Sequence, residues 1–307
     1  MAKTAFLFPG QGSQKTGMGA DLAESIPAAR AIFEEADDAL GFSLSKLCFE
    51  GPEEELRLTE NTQPAILTCS IATLAAVRGK GLEPDFVAGH SLGEYSALVA
   101  AGAISFRDAV QLVRKRGRFM QEAVPPGVGA MAAILGMEPE KVVEVCAQAA
   151  QGEVVSPANI NSPGQIVIAG HAAAVQRAVD IAVAAGAKKA VLLQVSAPFH
   201  CSLMEPARDR LAPELDAIPF GDLKTPLVNN VSAAIVWTGA DAREGLKRQV
   251  PSPVLWEQSI QRLAAEGVGS FLEVGPGRVL TGLLRSIDRA LEGSAVGDLA
   301  GLEKLSQ

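Results

Sequence analysis

The residues with the clearest chemical meaning form the segment Gly89-His90-Ser91-Leu92-Gly93, which matches the GxSxG pattern of serine nucleophiles. A strand is predicted over 85–88, and a helix of small residues is predicted to begin near Gly93. Small flanking residues let the chain turn sharply, so Ser91 projects at a helix N-terminus, where free N–H groups and the helix dipole favour negative charge. A chance match in an ordinary tight turn is the alternative. The context favours a nucleophile elbow.

A serine hydroxyl needs a base to become a good nucleophile, and the chain contains three histidines. His90 adjoins Ser91, and neighbouring side chains on an elbow diverge. His171 follows a predicted strand at a glycine turn, which is typical of a surface residue. Elimination leaves His200 as the predicted general base, and a histidine buried for packing alone is the alternative.

Negative charge that develops on the substrate needs hydrogen-bond donors. The N–H of Leu92, directly after the serine, is one predicted donor. The Gly10-Gln11-Gly12 loop follows another predicted strand, over 4–8, and its glycines leave backbone N–H groups accessible. A phosphate cradle is disfavoured, because the loop departs from both glycine-rich phosphate-binding patterns. A purely structural turn remains a close alternative to an oxyanion-hole role.

One basic run lies on a helix that is predicted to begin at Ser105, an N-cap residue followed three positions later by Asp108. Apolar residues recur on this helix at helical spacing: Ala109, Leu112, Val113 and Met120. Arg116 falls on the same stripe and is predicted to face the protein, whereas its basic neighbours face water. An inward guanidinium needs a partner, and a substrate carboxylate would match it with two parallel hydrogen bonds. An internal ion pair with Asp or Glu is the alternative.

Composition restricts the class of protein. The chain has 307 residues, 48% hydrophobic and 20% charged, so it can bury a sizeable core and disorder is disfavoured. A net charge of −8 argues against general nucleic-acid binding, and no apolar run is long enough to span a membrane. The four cysteines lie far apart without CxxC pairing, which indicates reduced thiols in a cytoplasmic protein and no metal site.

The order of predicted elements indicates an α/β fold, because strands and helices alternate along the chain. After a break at 125–127 the predicted order is βαββαβ, the signature of a ferredoxin-like unit. We therefore predict a small inserted domain over 127–196 and a large domain over 1–126 and 197–307. The large domain resumes with a strand predicted over 270–274 and a helix from Val279.

Several short motifs occur together and in order along nearly the whole chain, and the set is far more specific than any member. They are Gly10-Gln11-Gly12-Ser13-Gln14, Thr62-Gln63-Pro64-Ala65, Gly89-His90-Ser91-Leu92-Gly93-Glu94, Arg116-Gly117, Asn161-Ser162-Pro163-Gly164-Gln165, His200-Cys201 and Glu273-Val274-Gly275-Pro276-Gly277. With these motifs the sequence resembles the malonyl-CoA:acyl carrier protein transacylases of bacterial fatty acid synthesis.

The resemblance implies a hydrolase-like α/β core with a parallel sheet and a nucleophile elbow, plus an inserted ferredoxin-like domain. It implies that Ser91 carries a malonyl ester and that His200 is the acid/base. The amides of Gln11 and Leu92 would form the oxyanion hole. The backbone carbonyl of Gln249 would orient the histidine, which would explain why no triad aspartate stands out.

Three further residues are assigned to substrate binding. By resemblance, Arg116 pairs with the malonyl carboxylate. Phe199, beside the histidine, would shape the acyl pocket against branched malonates, and Asn161 is placed among the substrate-binding residues. The expected geometry puts the imidazole of His200 against the Ser91 hydroxyl, with the Arg116 guanidinium a malonyl length away.

The implied partners are malonyl-CoA and an acyl carrier protein, with coenzyme A thioester as substrate, no cofactor, and a monomeric enzyme. An acidic carrier protein is expected to dock near Lys188-Lys189 and near Arg114, Lys115 and Arg285, unless these are ordinary solvated charges. A serine esterase or thioesterase, a polyketide acyltransferase, and a catalytically silent module that binds carrier protein or coenzyme A are the alternative functions.

Overall fold

Two β-sheets form the framework of the computed structural model, which describes residues 3–195 and 197–305. The first sheet has the strand order β11-β10-β1-β2-β7-β8 and is parallel except for the β7–β8 pair. Its strands are β1 (Lys3–Phe8), β2 (Phe86–Gly89), β7 (Leu227–Val228), β8 (Ile235–Val236), β10 (Val268–Val274) and β11 (Glu292–Val296).

The second sheet has the order β6-β3-β5-β4-β9, in which the pairs β6–β3, β3–β5 and β5–β4 are antiparallel. Its strands are β3 (Gly129–Leu135), β4 (Val155–Ser162), β5 (Gln165–His171), β6 (Lys189–Leu192) and β9 (Val254–Leu255). Strand β9 comes from far downstream and pairs in parallel with β4, so the second sheet is not built from a single stretch of chain. The sequence patterns did not predict this strand.

Helices pack against both sheets. They are α1 (Ala20–Ser25), α2 (Pro27–Leu40), α3 (Leu44–Glu50), α4 (Glu53–Leu56), α5 (Thr59–Arg78), α6 (Gly93–Ala100), α7 (Phe106–Glu122), α8 (Pro139–Ala150), α9 (Ala172–Ala184), α10 (Glu205–Ala217), α11 (Gly239–Gln249), α12 (Trp256–Ala265), α13 (Val279–Ile287) and α14 (Leu299–Lys304), with a 3₁₀ turn at Ser202–Met204. No helix among the described residues combines the length and hydrophobicity that crossing a bilayer requires.

The predicted strands and helices agree with the observed ones to within a few residues. The predicted start of α7 is confirmed, because the Ser105 side chain accepts a hydrogen bond from the Asp108 N–H. Among the strands that were predicted, β6 differs most: the pattern predicted a strand to residue 195, whereas β6 ends at Leu192. The predicted domain boundary at position 196 lies outside the described residues. All four cysteines are free and buried.

The turn between β2 and α6 is the feature of the fold that the site depends on most. Ser91 has φ 51°, in the left-handed region that side chains other than glycine rarely adopt. Its glycine neighbours make room for this turn. A Cβ on Gly89 would lie 2.0 Å from the carbonyl carbon of Gly93, and one on Gly93 would lie 2.0 Å from the carbonyl oxygen of Phe8. The strand and the helix can therefore meet only if both positions are glycine.

We expect Gly93→Ala to lower the free energy of unfolding by at least about 1–3 kcal/mol, because its methyl group would overlap rigid backbone. Gly282→Ala is the matched control, since position 282 lies within α13 with nothing within 4 Å of its added Cβ. That control should stabilise the protein by up to about 1 kcal/mol through helix propensity. Urea unfolding compares the two variants, and equal stability would contradict the steric account.

Candidate active site

Ser91 and His200 meet at the carboxyl end of β2, although they are far apart in the chain. The Ser91 Oγ lies 2.7 Å from the His200 Nε2. Ser91 is half-buried at the start of α6, and His200 is buried in the segment that precedes the 3₁₀ turn. The predicted contact between these two side chains is therefore present in the structure.

Two backbone carbonyls decide which nitrogen of His200 carries the proton. The Nδ1 lies 3.1 Å from the carbonyl oxygen of Gln249 and 3.2 Å from that of Ser252. Because a carbonyl oxygen can only accept, Nδ1 must donate, and the neutral ring then presents Nε2 as an acceptor to the Ser91 hydroxyl. Burial, and next the positive charge of Arg116, lower the pKa of His200 to about 3. The imidazole is therefore neutral and able to accept a proton near pH 7.

The guanidinium of Arg116 is buried beside the serine and is held by uncharged groups. Its Nη1 donates to the Gln63 Oε1 at 2.8 Å, and its Nη2 donates to the Gln249 Oε1 at 2.8 Å. None of the ion pairs found among the described residues includes Arg116, so the alternative of an internal ion pair does not hold there. A buried cation without a carboxylate partner is a favourable place for an anionic substrate group.

The distance between Arg116 and the serine differs from the expected malonyl length. The Nη2 of Arg116 donates directly to the Ser91 Oγ at 3.2 Å, so the guanidinium touches the hydroxyl. The sequence analysis expected the guanidinium and the hydroxyl to be separated by the length of a malonyl group. Because Gln63 and Gln249 hold the guanidinium from the other side, its Nη2 is directed at the Ser91 hydroxyl oxygen.

Gln249 contributes more than the backbone carbonyl that the resemblance implied. Its side chain is fully buried, and its Nε2 donates to the Ser91 carbonyl oxygen at 3.0 Å and to the Glu94 Oε2 at 2.9 Å. Its Oε1 accepts from Arg116, so this single residue contacts the nucleophile, the base and the cation. The sequence offered no signal for this side-chain role.

The remaining predicted residues line the same cavity as Ser91. The cavity has a volume of about 350 Å³ and is bordered by Gln11, Leu92, Asn161 and Phe199. Gln11 lies in the exposed loop after β1, and Leu92 is the N-cap residue of α6. The structure thus brings together every residue that the sequence assigned to the site. Their individual roles stay predictions.

The two other histidines have structural partners. The Nε2 of His90 is hydrogen-bonded to the Asn161 Oδ1 at 2.8 Å, and its ring packs 5.5 Å from that of Trp256. The Nδ1 of His171 accepts from the Val154 N–H at 3.0 Å, so this residue is tied to the backbone and half-buried rather than freely exposed. Neither contact involves Ser91.

Three polar residues near Ser91 had no assigned role in the sequence. Gln63 and Glu94 stood inside quoted motifs, and Asn230 was not singled out at all. Glu94 is buried, and this burial raises its pKa to about 7, although bonds from Gln249 and Asn230 oppose the shift. The Oδ1 of Asn230 accepts from the Ser91 N–H at 2.7 Å. Only the three-dimensional arrangement identifies these neighbours.

The cations predicted to bind a carrier protein divide into two groups. Lys188, Lys189 and Arg285 are exposed. Lys115 pairs with Glu214 at 2.6 Å, and Arg114 stacks on a phenylalanine ring 4.2 Å away, in a groove separate from the active-site cavity. Arg114 and Arg116 are two residues apart on one helix and so face opposite sides. The first group is therefore the better candidate for the predicted docking surface.

Comparison with known proteins identifies the class of this protein as an acyltransferase. A family model described as the acyl transferase domain matches residues 5–304, so the chain belongs to the acyl transferase family. It is 54% identical over 304 residues to the malonyl CoA-acyl carrier protein transacylase of Bacillus subtilis, covering 99% of this chain and 96% of that protein. The Escherichia coli K12 protein of that name is 52% identical over 299 residues, covering 97% of each.

Solved structures of similar proteins agree with this family assignment. An acyl carrier protein S-malonyltransferase from Vibrio cholerae superposes with a TM-score of 0.97 at 50% identity, covering 99% of this chain and 100% of that one. A malonyl-transacylase in complex with a type II PKS acyl-carrier protein gives 0.96 at 50% identity, covering 99% and 98%. The resemblance that the sequence motifs indicated is thereby confirmed.

We expect His200 to remain uncharged in the folded protein from about pH 8 to about pH 5, because its pKa is about 3 rather than the ordinary 6.5. Imidazole ¹⁵N chemical shifts should report a protonated Nδ1 and a bare Nε2 throughout. The unfolded chain does bind a proton, so the contribution of His200 to the free energy of unfolding falls as the pH drops below 6.5. A titration midpoint near 6.5 in the folded state would contradict this.

Proposed function

We propose that this protein transfers the malonyl group of malonyl-CoA to the phosphopantetheine thiol of an acyl carrier protein, through an ester on Ser91. One observation carries the proposal: a serine hydroxyl lies 2.7 Å from a neutral imidazole nitrogen and 3.2 Å from a buried guanidinium in one cavity. The imidazole supplies the base, and the guanidinium supplies the partner for the carboxylate that distinguishes malonyl from simple acyl groups.

The first half of the reaction follows from this geometry. The Nε2 of His200 takes the Ser91 proton as Oγ attacks the thioester carbonyl carbon, and the charge moves to the carbonyl oxygen. The backbone amides of Gln11 and Leu92 are proposed to hold that oxyanion. When the carbon–sulfur bond breaks, coenzyme A leaves as a thiol with the proton from His200, and Ser91 keeps the malonyl ester.

The second half repeats these steps with a different acceptor. The pantetheine thiol of the carrier protein gives its proton to His200 and attacks the ester carbon. The Ser91 oxygen leaves and recovers the proton from His200, so the enzyme ends in its starting state. No cofactor is consumed, and the cycle is of the ping-pong type because coenzyme A departs before the carrier protein reacts.

Arg116 is proposed to select for malonyl. An arriving carboxylate would replace the Ser91 Oγ as the acceptor of Nη2, which frees the hydroxyl for attack at the moment the substrate is held. The amides of Gln63 and Gln249 keep the guanidinium in place from the other side. Phe199 and Asn161 border the cavity and are proposed to shape the space for the acyl chain and the pantetheine arm.

The main rival is a serine esterase or thioesterase. Such an enzyme ordinarily supports its histidine with an acidic residue, whereas Nδ1 of His200 faces two backbone carbonyls. It would also have no use for a buried arginine against the nucleophile. The transacylase names of the relatives support fatty acid synthesis, and the polyketide carrier protein in one related complex keeps a polyketide role as the second candidate.

We also propose that the fold combines a hydrolase-like domain, over 1–126 and 197–307, with a ferredoxin-like insert over 127–196. The parallel sheet with its elbow after β2 supports the first assignment. The antiparallel order β6-β3-β5-β4, with α8 and α9 in the connections, supports the second. A single copy supplies every proposed site residue, which favours a monomer, and the buried free thiols favour a cytoplasmic location.

Incubation with malonyl-CoA alone should add the mass of one malonyl group to the protein, and peptide mapping should place it on Ser91. Ser91→Ala should remain unmodified while keeping its fold. Transfer from the isolated malonyl-enzyme to carrier protein should then exceed hydrolysis. Absence of an adduct, or an adduct on a cysteine, would refute the mechanism, and faster hydrolysis than transfer would favour the thioesterase.

Arg116→Ala should lower kcat/KM for Ser91 acylation by malonyl-CoA about 100-fold or more, because a buried charge pair with the substrate is lost. Acylation by acetyl-CoA should fall by less than about 10-fold, since acetyl has no carboxylate. Arg114→Ala is the matched control on the same helix, where its side chain stacks on Phe42, and it should change neither rate. Equal losses for both acyl groups would remove Arg116 from carboxylate recognition.

A further inference from the structure

The side chain of Asn230 pairs with the backbone of the elbow. Its Oδ1 accepts from the Ser91 N–H at 2.7 Å, and its Nδ2 donates to the Gly89 carbonyl oxygen at 2.7 Å. Asn230 is fully buried and follows β7 at the point where β2 turns into α6. We propose that Asn230 is a positioning residue that holds Ser91 in its reactive backbone conformation, an inference that rests on the proposed nucleophilic role of Ser91.

The register of the neighbouring strands shows what this side chain replaces. Strand β2 pairs in parallel with β7, with Val87 opposite Leu227 and Ala88 opposite Val228. The same register places position 230 opposite His90. In a parallel ladder, a residue donates to the carbonyl before its partner and accepts from the N–H after it. The amide of Asn230 makes these two bonds, to Gly89 and Ser91, so a side chain continues the ladder beyond the last paired strand residue.

The asparagine is itself held from several directions. Its backbone N–H donates to the Glu94 Oε2 at 3.0 Å, and its carbonyl oxygen accepts from the Leu255 N–H at 2.9 Å. Its Oδ1 also accepts a hydrogen bond from the Nε2 of Gln249 at 3.3 Å. A residue fixed at its backbone and at its amide can define the position of a neighbour to a fraction of an ångström.

The elbow needs such a partner. Ser91 has φ 51°, a conformation that persists only when surrounding contacts enforce it. Loss of the Asn230 amide would leave the half-buried Ser91 N–H and the buried Gly89 carbonyl without this partner, which favours relaxation of the turn. Relaxation would move the Ser91 Oγ away from the His200 Nε2, whereas the Arg116 clamp formed by two glutamines would stay in place.

The adjacent residue offers a matched control. Asn229 is also buried, and its Oδ1 accepts from the Ser232 N–H at 3.2 Å and from the Ser232 hydroxyl at 2.8 Å. Its side chain therefore stabilises the turn after β7, without a hydrogen bond to the elbow. Asn229→Ala and Asn230→Ala each remove one buried amide from the same loop, and only the second removes a contact with Ser91.

The test compares the two variants by the rate at which a small alkyl fluorophosphonate labels Ser91, per folded molecule. This probe reports an activated serine and needs neither Arg116 nor coenzyme A. We expect Asn230→Ala to label about 10- to 100-fold more slowly than the unaltered protein. Asn229→Ala should unfold at a lower temperature but label within about 2-fold of the unaltered rate.

Steady-state kinetics with acyl-CoA substrates add a second readout. Asn230→Ala should lower kcat for malonyl and acetyl transfer by the same factor while KM for malonyl-CoA stays unchanged, because the carboxylate clamp is intact. Normal labelling of Asn230→Ala, or equal slowing in both asparagine variants, would overturn the positioning role. Normal fluorophosphonate labelling of the unaltered protein without malonyl transfer would instead refute the proposed function and leave the positioning role standing.

A measurement on the unaltered protein keeps the inference testable if Asn230→Ala does not fold. The Ser91 amide lies in a half-buried turn at the cavity, where rapid hydrogen exchange would be expected without a fixed acceptor. With Asn230 as its partner, this amide should exchange as slowly as the Val87 amide of β2, which donates to Pro226 at 2.9 Å. Unprotected exchange at Ser91 would overturn the proposal.

Discussion

The site depends on one hydrogen bond between groups 109 residues apart, the Ser91 hydroxyl and the His200 imidazole. Both residues have a left-handed backbone, with φ 51° and 61°, which costs energy for side chains other than glycine. Each end is therefore held by its surroundings: Asn230 and the flanking glycines hold the serine, and the carbonyls of Gln249 and Ser252 hold the ring. Backbone strain and long-range hydrogen bonds together fix the contact.

The electrostatic character of the site follows from the use of amides where carboxylates would be expected. Gln63 and Gln249 hold the buried Arg116, and a direct carboxylate partner would compete with an anionic substrate. Backbone carbonyls orient His200, and burial beside a cation keeps the ring neutral. Glu94, the nearby buried acid, accepts hydrogen bonds from the Gln249 side chain and the Asn230 backbone N–H. The Gln249 side chain links this carboxyl group to the guanidinium of Arg116. The cavity thus keeps one unpaired positive charge beside an uncharged base.

Local patterns predicted most of the framework. The N-cap at Ser105 and the apolar stripe that includes Arg116 predicted both the start of α7 and the inward direction of the guanidinium. The same reasoning failed where pairing partners are remote. Strand β9 has two residues and no periodicity of its own, and it exists because β4 offers it an edge. The contact between Arg116 and the serine was closer than expected, because helix periodicity gives a direction but no distance.

The sequence alone determined the residue types whose chemistry is local: a serine between glycines in a strand-to-helix turn, an arginine on an apolar stripe, and a histidine chosen from three. Tertiary structure alone decided that the side chains of Gln63, Gln249 and Asn230 complete the site. An amide can donate and accept in almost any setting, so its type and spacing carry no signal of a partner. Asn229 and Asn230 are adjacent and chemically identical. Only the register of β7 against β2 places Asn230 beside Ser91 and leaves Asn229 in the turn after β7.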